Sequence, residues 1–365
     1  MSKNGVKERI NVKYGSNTIA LAAEIIERVP ILLDSGVLSL NLALGTNGFL
    51  GGRMGMVWGE KQSGKTILSL CFAARVQQNG GKVAFLDAEG TLDINFATKL
   101  GVDPSKLFVV TSKSERKNAK GEKMDPLYGE EWFDIVIELI KSGEYNLIIL
   151  DSLPALVPKS KMEVEAVDSS RQKAVPASMM ADFIPKVNAH LNMNPNCFLY
   201  LISQERSNVM VTHGSTRKAF GGNTSGFFIT YEIYAKKKES FRQRVNITPN
   251  KTVDEEVAIR VEYRVTKNKV ARLTEPAEFI INLADGVDVF DDTLNVSRAL
   301  GVVALSGSTF SFDGKKAAGF EKFKEMVMKN PEMLEKIRAQ CMKTLTERDR
   351  SGYTVADNQE APIEE

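Results

Sequence analysis

Short apolar runs alternate along the chain with segments of helical periodicity. The runs that have the length and composition of buried strands are residues 54–59, 82–87, 107–111, 147–151 and 197–203. Helical patterns lie between them, at residues 65–78, 130–141 and 178–191. Apolar strands separated by helices are typical of a parallel sheet that is covered on both faces. The pattern therefore predicts an α/β core.

The pattern changes after residue 203. Residues 227–235, 256–266 and 277–283 predict successive strands without a long helix between them. Such a series indicates an antiparallel extension of the same sheet. The later part of the chain returns to helical patterns, at residues 295–300, 316–328 and 331–346. Near the N-terminus one amphipathic segment, residues 18–28, is ended by Pro30.

Composition narrows the class of protein. Hydrophobic residues make up 43% of the chain and charged residues 26%, with a formal net charge of +2. These values exclude a histone-like basic polymer but are compatible with a local basic stripe. Three dispersed cysteines and two histidines argue against a disulfide scaffold and a Cys/His zinc site. Because the N-terminus is polar and no apolar run reaches about 18 residues, we expect a soluble cytoplasmic protein without a membrane span.

Polar and charged segments lie inside and after the predicted core. Residues 159–173 and 205–225 interrupt it, and loops of this length are usually binding loops or lids, or are disordered. Residues 314–350 hold more basic than acidic side chains. Residues 357–365 hold four acids and no base, which predicts a short acidic disordered tail.

A phosphate-binding motif follows the first predicted strand. The pattern G-x-x-x-x-G-K-[ST] is matched by Gly59, Glu60, Lys61, Gln62, Ser63, Gly64, Lys65 and Thr66. Glycines let the backbone N–H groups turn towards phosphate oxygens, and the following helix adds its N-terminal dipole. Lys65 then supplies a positive charge for the β- and γ-phosphates, and the Thr66 hydroxyl is a ligand for Mg²⁺. The sequence predicts a nucleoside triphosphate site here.

Two further strands end in carboxylates. Residues 147–151 form an apolar run that ends at Asp151, the pattern of a carboxylate that holds Mg²⁺ or its water. Residues 85–89 end at Glu89, which would lie where water approaches the γ-phosphate if that strand neighbours the strand that leads into the phosphate-binding loop. For Glu89 the alternative is a solvated strand end, and the residues alone leave both interpretations open.

Five segments in the same order resemble the RecA family of homologous-recombination ATPases. They are residues 59–66, 85–93, 148–159, 201–204 and 266–270. The resemblance spans roughly residues 35–285. It implies a RecA-like P-loop ATPase core, with a mostly parallel twisted sheet, an antiparallel extension and helices on both faces. A small N-terminal helical segment (1–34), a small C-terminal α/β lobe (286–350) and an acidic tail (351–365) complete the expected organisation.

The resemblance assigns roles to individual residues. Lys65, Thr66 and Asp151 keep the roles given above, and Glu89 becomes the carboxylate that activates water. Asp93 and Phe96 lie at the positions around the adenine, although Phe96 also suits a core helix position.

Three more polar residues acquire roles in the same way. Gln204 would sense the γ-phosphate and connect it to a DNA-binding loop. Lys267 and Lys269 would reach the γ-phosphate bound by the neighbouring subunit. The alternative for this lysine pair is a solvated basic strand face.

The resemblance also implies that residues 159–173 and 205–225 line the DNA. The candidates for contacts are Arg171, Lys173, Arg206, Val209, Met210, Arg217, Lys218, Phe220, Gly221, Gly222 and Asn223. Basic, apolar and glycine residues together suit a flexible segment that neutralises phosphates and inserts an apolar side chain between bases. Pro176 and Pro185 depart from the family pattern, in which arginines lie nearby; Lys186 is a further candidate. Lys236–Lys238 favour a solvated face.

For the two ends of the chain, the resemblance implies roles in the assembly of protomers and in the regulation of DNA binding. The N-terminal segment would contact the adjacent protomer. Phe227 resembles an interface residue, and a core position is the alternative. The C-terminal lobe would capture duplex DNA, and the acidic tail would compete with DNA for that lobe.

The function that follows is an ATP- and Mg²⁺-dependent recombinase. It would form an open helical homo-oligomer on single-stranded DNA and exchange strands with homologous duplex DNA. Loader and single-strand-binding proteins would be its partners, in a bacterial or phage-infected cell. The main alternative is a ring-forming replicative helicase, which would need more than the roughly 35 residues before the core. A regulator without catalysis and a small-molecule kinase are weaker alternatives, because the catalytic residues and both long loops are present.

Overall fold

A computed structural model describes residues 3–16, 18–20, 29–162, 175–207, 217–219, 226–248 and 251–347. The helices are α1 (Lys3–Tyr14), α2 (Leu38–Leu44), α3 (Lys65–Gln78), α4 (Ile94–Lys99), α5 (Gly129–Ser142), α6 (Lys159–Met162), α7 (Val175–Met193), α8 (Val289–Ala299), α9 (Phe320–Met328) and α10 (Pro331–Glu347). The first seven strands are β1 (Leu32–Leu33), β2 (Phe49–Leu50), β3 (Arg53–Gly59), β4 (Val83–Asp87), β5 (Leu107–Thr111), β6 (Leu147–Asp151) and β7 (Phe198–Ile202). The later strands are β8 (Glu205–Ser207), β9 (Arg217–Ala219), β10 (Tyr231–Thr248), β11 (Lys251–Asn268), β12 (Ala277–Asn282), β13 (Gly286–Val287), β14 (Ala304–Ser306), β15 (Thr309–Phe312) and β16 (Lys315–Ala318).

A mixed sheet organises the core. Within the described ranges it has the strand order β13-β12-β11-β10-β3-β7-β6-β4-β5. The strands from β10 to β5 are parallel, and β11, β12 and β13 pair antiparallel. The predicted α/β class and the antiparallel extension of the sheet are therefore confirmed.

Apolar clusters cover both faces of this sheet. On one face, side chains of α3 pack on the strands, and Phe49 stacks on Phe198 with ring centroids 4.7 Å apart. On the other face, α5 and α7 pack together, with Phe133 stacked on Phe183. Strands β4, β6 and β7 are buried along their whole length, which explains their nearly continuous apolar sequences.

The hairpin β10–β11 is the largest difference from the predicted strands. Each strand has 18 residues, well beyond the predicted 227–235 and 256–266. The added length is polar, so it lacks the apolar pattern on which the prediction depended. Cross-strand ion pairs support it instead, including Lys237–Glu256 and Arg260–Glu239.

Lys237 and Lys238 are accordingly ion-paired within the protein. Lys237 contacts Glu256, and Lys238 contacts Glu262 and Glu278. Residues Lys236–Lys238 thus lie on a charged face of the hairpin, which agrees with the solvated face that the sequence favours.

Several helix boundaries also differ from the sequence pattern. Helix α1 lies within the N-terminal helical segment (1–34) that the resemblance implies. The residue pattern did not indicate it, because its sequence has no apolar periodicity. The predicted segment 18–28 falls largely outside the described residues. Helix α7 runs from Val175 to Met193, with Pro185 inside it and Pro176 in its first turn, where proline is tolerated. The predicted helix 316–328 begins only at Phe320, because Lys315–Ala318 pairs with β15.

The C-terminal lobe is joined to the core by buried carboxylates. Asp34 accepts hydrogen bonds from Arg75 Nε (2.7 Å), Arg338 Nη2 (3.1 Å) and Asn41 Nδ2 (2.7 Å). Asp292 of α8 accepts from the backbone N–H of Leu38 at 2.6 Å. The Arg338–Asp34 and Leu38–Asp292 contacts connect residues more than 250 positions apart in sequence. No helix in the described part of the chain is long and apolar enough to cross a membrane.

Candidate nucleotide-binding and catalytic site

The phosphate-binding loop lies between β3 and α3. Gly59 and Gly64 have φ values of 148° and 78°, which favour glycine. A Cβ on Gly59 would collide with the Ala235 carbonyl, and one on Gly64 with the Ile281 side chain. Gly59 is thus required by its approach to the β10 backbone as well as by the turn, whereas Gly64 is required mainly by its positive φ. The loop delivers the chain directly to the N-terminus of α3, where an anion is favoured.

Lys65 is held inside this loop. Its ammonium group donates to the carbonyl of Glu60 at 2.6 Å, to that of Gly59 at 3.3 Å and to Ser63 Oγ at 3.3 Å. Burial lowers the pKa of Lys65, whereas the nearby Asp151 and Glu89 oppose that shift. The loop therefore places one cation beside the site where phosphates would lie.

Thr66 and Asp151 form the candidate site for Mg²⁺. Thr66 Oγ1 donates to Asp151 Oδ2 at 2.7 Å. Burial raises the pKa of Asp151 to about 6, and the neighbouring Glu89 and Asp87 add to the effect. A bound cation would offset this unfavourable burial of negative charge, and both oxygens are the hard ligands that Mg²⁺ prefers.

The protein offers few ligands at this site, which is usual for Mg²⁺ bound with a nucleotide. No group of three or more His, Cys, Asp or Glu side chains suited to a metal occurs among the residues that the structure describes. Mg²⁺ at nucleotide sites commonly takes one or two protein ligands and completes its shell with phosphates and water. The pair Thr66 and Asp151 fits that ion.

Glu89 lies just after β4, beside this pair. The prediction that its strand neighbours β3 is wrong, because β6 and β7 lie between them. Glu89 still reaches the site, since β4 pairs with β6, which carries Asp151. Its Oε1 accepts a hydrogen bond from Gln204 Nε2 at 3.3 Å and another from Ser152 Oγ. Gln204 lies between β7 and β8, so it joins the carboxylate to the start of the second polar segment. Ser152 was missed by the sequence reasoning, although its position directly after Asp151 offered a signal.

A cavity of about 430 Å³ connects these groups. Its lining comprises Lys61, Gln62, Ser63, Gly64, Lys65, Thr66, Ile67, Glu89, Asp151, Ser152, Ile202, Gln204, Glu256, Ile259 and Leu283. The structure therefore brings the predicted loop, Glu89, Asp151 and Gln204 into one site. The wall formed by Glu256, Ile259 and Leu283 had no sequence signal, because it depends on how β11 and β12 are placed in the sheet.

Asp93 and Phe96 have structural contacts outside this cavity. Asp93 caps α4 by accepting hydrogen bonds from the backbone N–H groups of Asn95 (2.8 Å) and Phe96 (3.1 Å). Phe96 is partly buried against the core. Neither residue belongs to the cavity lining, and their role near adenine stays a prediction.

Lys267 and Lys269 lie at the end of β11, away from the cavity of their own chain. Their ammonium groups donate to the carbonyls of Gly226 and Phe227. Burial lowers the pKa of Lys269, and the adjacent positive charge of Lys267 acts in the same direction. The Phe227 side chain is 73% exposed, so its alternative position in the core is wrong.

The predicted DNA contacts fall mainly outside the described residues. This applies to Arg171, Lys173, Val209, Met210, Phe220, Gly221, Gly222 and Asn223. For Arg206, Arg217 and Lys218 the structure describes only the backbone, which forms the antiparallel pair β8–β9. Lys186 lies over the Phe183 ring, 4.8 Å from its centroid. The acidic tail is also outside the described ranges.

The fold and this site define a P-loop nucleoside triphosphatase with a RecA-like core. The family model for the RecA N-terminal domain matches residues 3–288. Similar proteins include Protein RecA of Thermus aquaticus, with 33% identity over 91% of this chain and 91% of the relative. Protein RecA of Halalkalibacterium halodurans is 31% identical over 98% of this chain and 93% of the relative.

The chain belongs to the RecA family of recombinases. Membership implies ATP binding with Mg²⁺, DNA binding and DNA-dependent ATP hydrolysis. The replicative-helicase alternative is not favoured by these relatives.

Proposed function

We propose that the protein forms an open helical filament on single-stranded DNA and exchanges strands with homologous duplex DNA. ATP with Mg²⁺ lies between protomers, and hydrolysis returns the filament to a state of lower DNA affinity. The protein works with loader and single-strand-binding partners in the cytoplasm of a bacterial or phage-infected cell. The C-terminal lobe captures duplex DNA, and the acidic tail competes for it.

The hydrogen bond from Gln204 to Glu89 carries this proposal. The Gln204 side chain contacts Glu89 in the nucleotide site. The next residue begins β8, the start of the segment predicted to contact DNA. A γ-phosphate beside Glu89 would compete for the Gln204 amide and shift the attached strand. The state of the nucleotide is thereby transmitted to the DNA-binding segment, which acts as a population switch.

The residues assigned to the nucleotide site have separate roles. Lys65 and the loop N–H groups hold the phosphates, while Asp93 and Phe96 are assigned to the adenine. Mg²⁺ held by Thr66 and Asp151 would supply charge neutralisation on the phosphate oxygens. Glu89 accepts a proton from water or orients it for attack on the γ-phosphorus.

Lys267 and Lys269 are proposed to complete the neighbouring protomer's site. They do not line their own cavity, and they lie beside the exposed Phe227. Cations supplied from a second subunit stabilise the charge of phosphoryl transfer. ATP binding and assembly would then depend on each other.

A mixing experiment tests this arrangement. Lys267→Ala and Lys65→Ala proteins should each lose single-stranded-DNA-stimulated ATPase activity. For Lys267→Ala we expect a loss of about 10³-fold, the effect of removing an arginine finger that a second subunit supplies. In an equimolar mixture, an interface can join the intact phosphate-binding loop of a Lys267→Ala subunit to the intact Lys267 of a Lys65→Ala subunit. Random assembly gives this arrangement at about a quarter of the interfaces, so about a quarter of wild-type activity should be recovered. Lys236→Ala, on the exposed ribbon face, is the control and should retain activity. A mixture as inactive as its components would contradict the trans role.

A further inference from the structure

The two strands of the long hairpin leave the sheet before they end. Strand β10 pairs with β3 only as far as Ala235, and β11 pairs with β12 only from Ala258 onwards. Residues 242–248 and 251–256 therefore pair with each other and with no other strand that the structure describes. We call this part of the hairpin the distal arm. Because a strand rises about 3.3 Å per residue, the arm extends about 20 Å beyond the sheet.

The arm starts at the nucleotide cavity. Glu256, at its base, belongs to the outer wall of the cavity together with Ile259 and Leu283. The backbone N–H of Lys237 donates to Glu60 Oε2 of the phosphate-binding loop at 3.3 Å, and Lys237 Nζ donates to both Glu256 oxygens at 2.8 and 2.7 Å. The base of the arm is thereby fixed to the loop that is assigned to the phosphates.

The direction of the strands places the arm and the lysine pair at opposite edges of the sheet. Strand β10 runs parallel to β3, and Ala235 lies opposite Gly59, where the phosphate-binding loop begins. Beyond this point β10 continues past the nucleotide edge as the arm. Strand β11 returns antiparallel and ends at Asn268, between Lys267 and Lys269, at the other edge.

In the proposed filament the lysine edge of one protomer faces the nucleotide edge of the next, which is a head-to-tail contact. A lysine extends only by its four-carbon stem, so Lys267 and Lys269 reach a neighbouring γ-phosphate only if β11 of their protomer lies close to it. An arm of about 20 Å that begins beside the same phosphates must then overlap the adjacent protomer.

The side chains of the arm are largely exposed. The Arg244–Asp254 ion pair, at 3.6 Å, leaves 84% and 59% of the two side chains exposed, and such a pair contributes less than about 1 kcal/mol. Val245 and Val253 lie opposite each other and are half-buried. An isolated two-stranded hairpin is marginally stable in water and needs a further surface to pack on. A surface that covers the two valines would stabilise the arm.

One acidic side chain of the arm has no ion-pair partner among the described side chains. Asp254, Glu255 and Glu256 are consecutive in the sequence. Asp254 pairs with Arg244, and Glu256 pairs with Lys237. Glu255 is exposed and forms no such pair within the described part of the chain. A cation on an opposing surface is therefore the partner that Glu255 fits.

The lysine edge of the protein offers such a cation. Arg272 and Leu273 follow shortly after Lys269, so they lie within about 14 Å of it. Arg272 is exposed and forms no ion pair with any side chain that the structure describes, and Leu273 is 56% exposed. The segment thus presents a cation for Glu255 and an aliphatic side chain for the two valines of the arm.

We propose that the distal arm docks on residues 270–275 of the adjacent protomer, with Glu255 against Arg272, and holds consecutive protomers together beyond the nucleotide. This inference rests on the trans role of Lys267 and Lys269 in the proposed function. Filament assembly then depends on two contacts across each interface, one through the nucleotide and one through the arm.

Sedimentation velocity with Mg²⁺ and a non-hydrolysable ATP analogue, without DNA, tests the role of the arm. A shortened variant lacks residues 243–255 and joins the opposed residues Arg242 and Glu256 through an Asn-Gly turn, which suits a two-residue hairpin loop. Its half-assembly concentration should rise by about tenfold or more, the effect of losing a close charged contact at an interface. Its unfolding in urea and its nucleotide affinity below the assembly concentration should match the wild type, because the base of the arm is kept.

Charge reversal tests the docking site. Glu255→Lys and Arg272→Glu should each raise the half-assembly concentration by about tenfold, because each places like charges opposite one another. The double variant restores opposite charges and should assemble nearly as well as the wild type. Glu335→Lys, at an exposed position of α10 in the C-terminal lobe, is the control for the charge change and should assemble normally.

The outcomes separate the arm from the function on which it rests. A wild-type protein that does not assemble with the analogue, with or without single-stranded DNA, would contradict the proposed filament itself. Normal assembly of the shortened variant, or a double variant as poor as the two single changes combined, would overturn only the docking of the arm. A shortened variant that assembles normally but binds single-stranded DNA less tightly would assign the arm to DNA and also overturn it.

Discussion

Replacement of Glu89 by glutamine is expected to lower kcat for DNA-dependent ATP hydrolysis by about 10²–10⁴-fold, the usual contribution of a positioned general base. Glutamine keeps the size of the side chain and can still contact Gln204 and Ser152, but it cannot accept a proton from water. Nucleotide binding should persist, because Lys65, Thr66 and Asp151 are unchanged. Steady-state phosphate release and equilibrium ATP binding together measure the two effects.

A matched control removes an equivalent charge elsewhere. Glu144→Gln changes an exposed carboxylate whose nearest cation, Lys82, is 3.9 Å away, and its kcat should equal that of the wild type. The role of Glu89 would be contradicted if Glu89→Gln hydrolysed ATP at a near-normal rate. A parallel loss of ATP binding would instead show that Glu89 acts in holding the nucleotide.

Asp34→Ala is expected to destabilise the protein by about 3–5 kcal/mol, the typical effect of breaking a buried ion pair. The change would leave Arg338, which is 6% exposed, without its carboxylate partner. Arg75 and Asn41 would lose the same acceptor. The free energy of unfolding in urea measures the effect, and Asp34→Asn tests it with the side-chain volume kept. The control is Glu138→Ala, whose partner Lys141 is exposed, and it should cost less than about 1 kcal/mol.

The effect of Asp34 should also depend on pH. Burial by itself raises the pKa of Asp34, but Arg338 and Arg75 outweigh burial and leave it below its usual value of 3.8. A carboxyl group with a lowered folded-state pKa contributes its stability above the unfolded-state pKa and loses it as the pH falls. The difference between wild type and Asp34→Ala should therefore be constant near neutrality and shrink below about pH 4. A difference that is small at pH 7 would contradict the anchoring role of Asp34.

The central part of the site could be predicted because its residues either are contiguous in sequence or follow an apolar strand. The loop 59–66 carries its own spacing, and Glu89, Asp151 and Gln204 each follow a short apolar run. Since parallel strands end at the same edge of a sheet, side chains that follow such runs lie close together. The structure brings all of them to one cavity.

The outer wall of the cavity could not be predicted in the same way. Its position depends on the register of β10 and β11, which shifts at several points along the hairpin. Register in a polar ribbon is set by individual cross-strand pairs, such as Lys237–Glu256, and not by an apolar alternation. For the same reason the sequence pattern did not indicate the full length of either strand. Helix α1, which has a polar sequence without periodicity, gave no signal either.

Electron microscopy of the protein with single-stranded DNA and a non-hydrolysable ATP analogue tests the central claim most directly. We expect open helical filaments that form with the analogue and are absent without nucleotide, because Lys267 and Lys269 need a γ-phosphate on the adjacent protomer. Lys267→Ala protein should form few filaments under the same conditions, whereas Lys236→Ala protein should form them normally. Closed six-membered rings, or filaments that assemble equally well without nucleotide, would contradict the account.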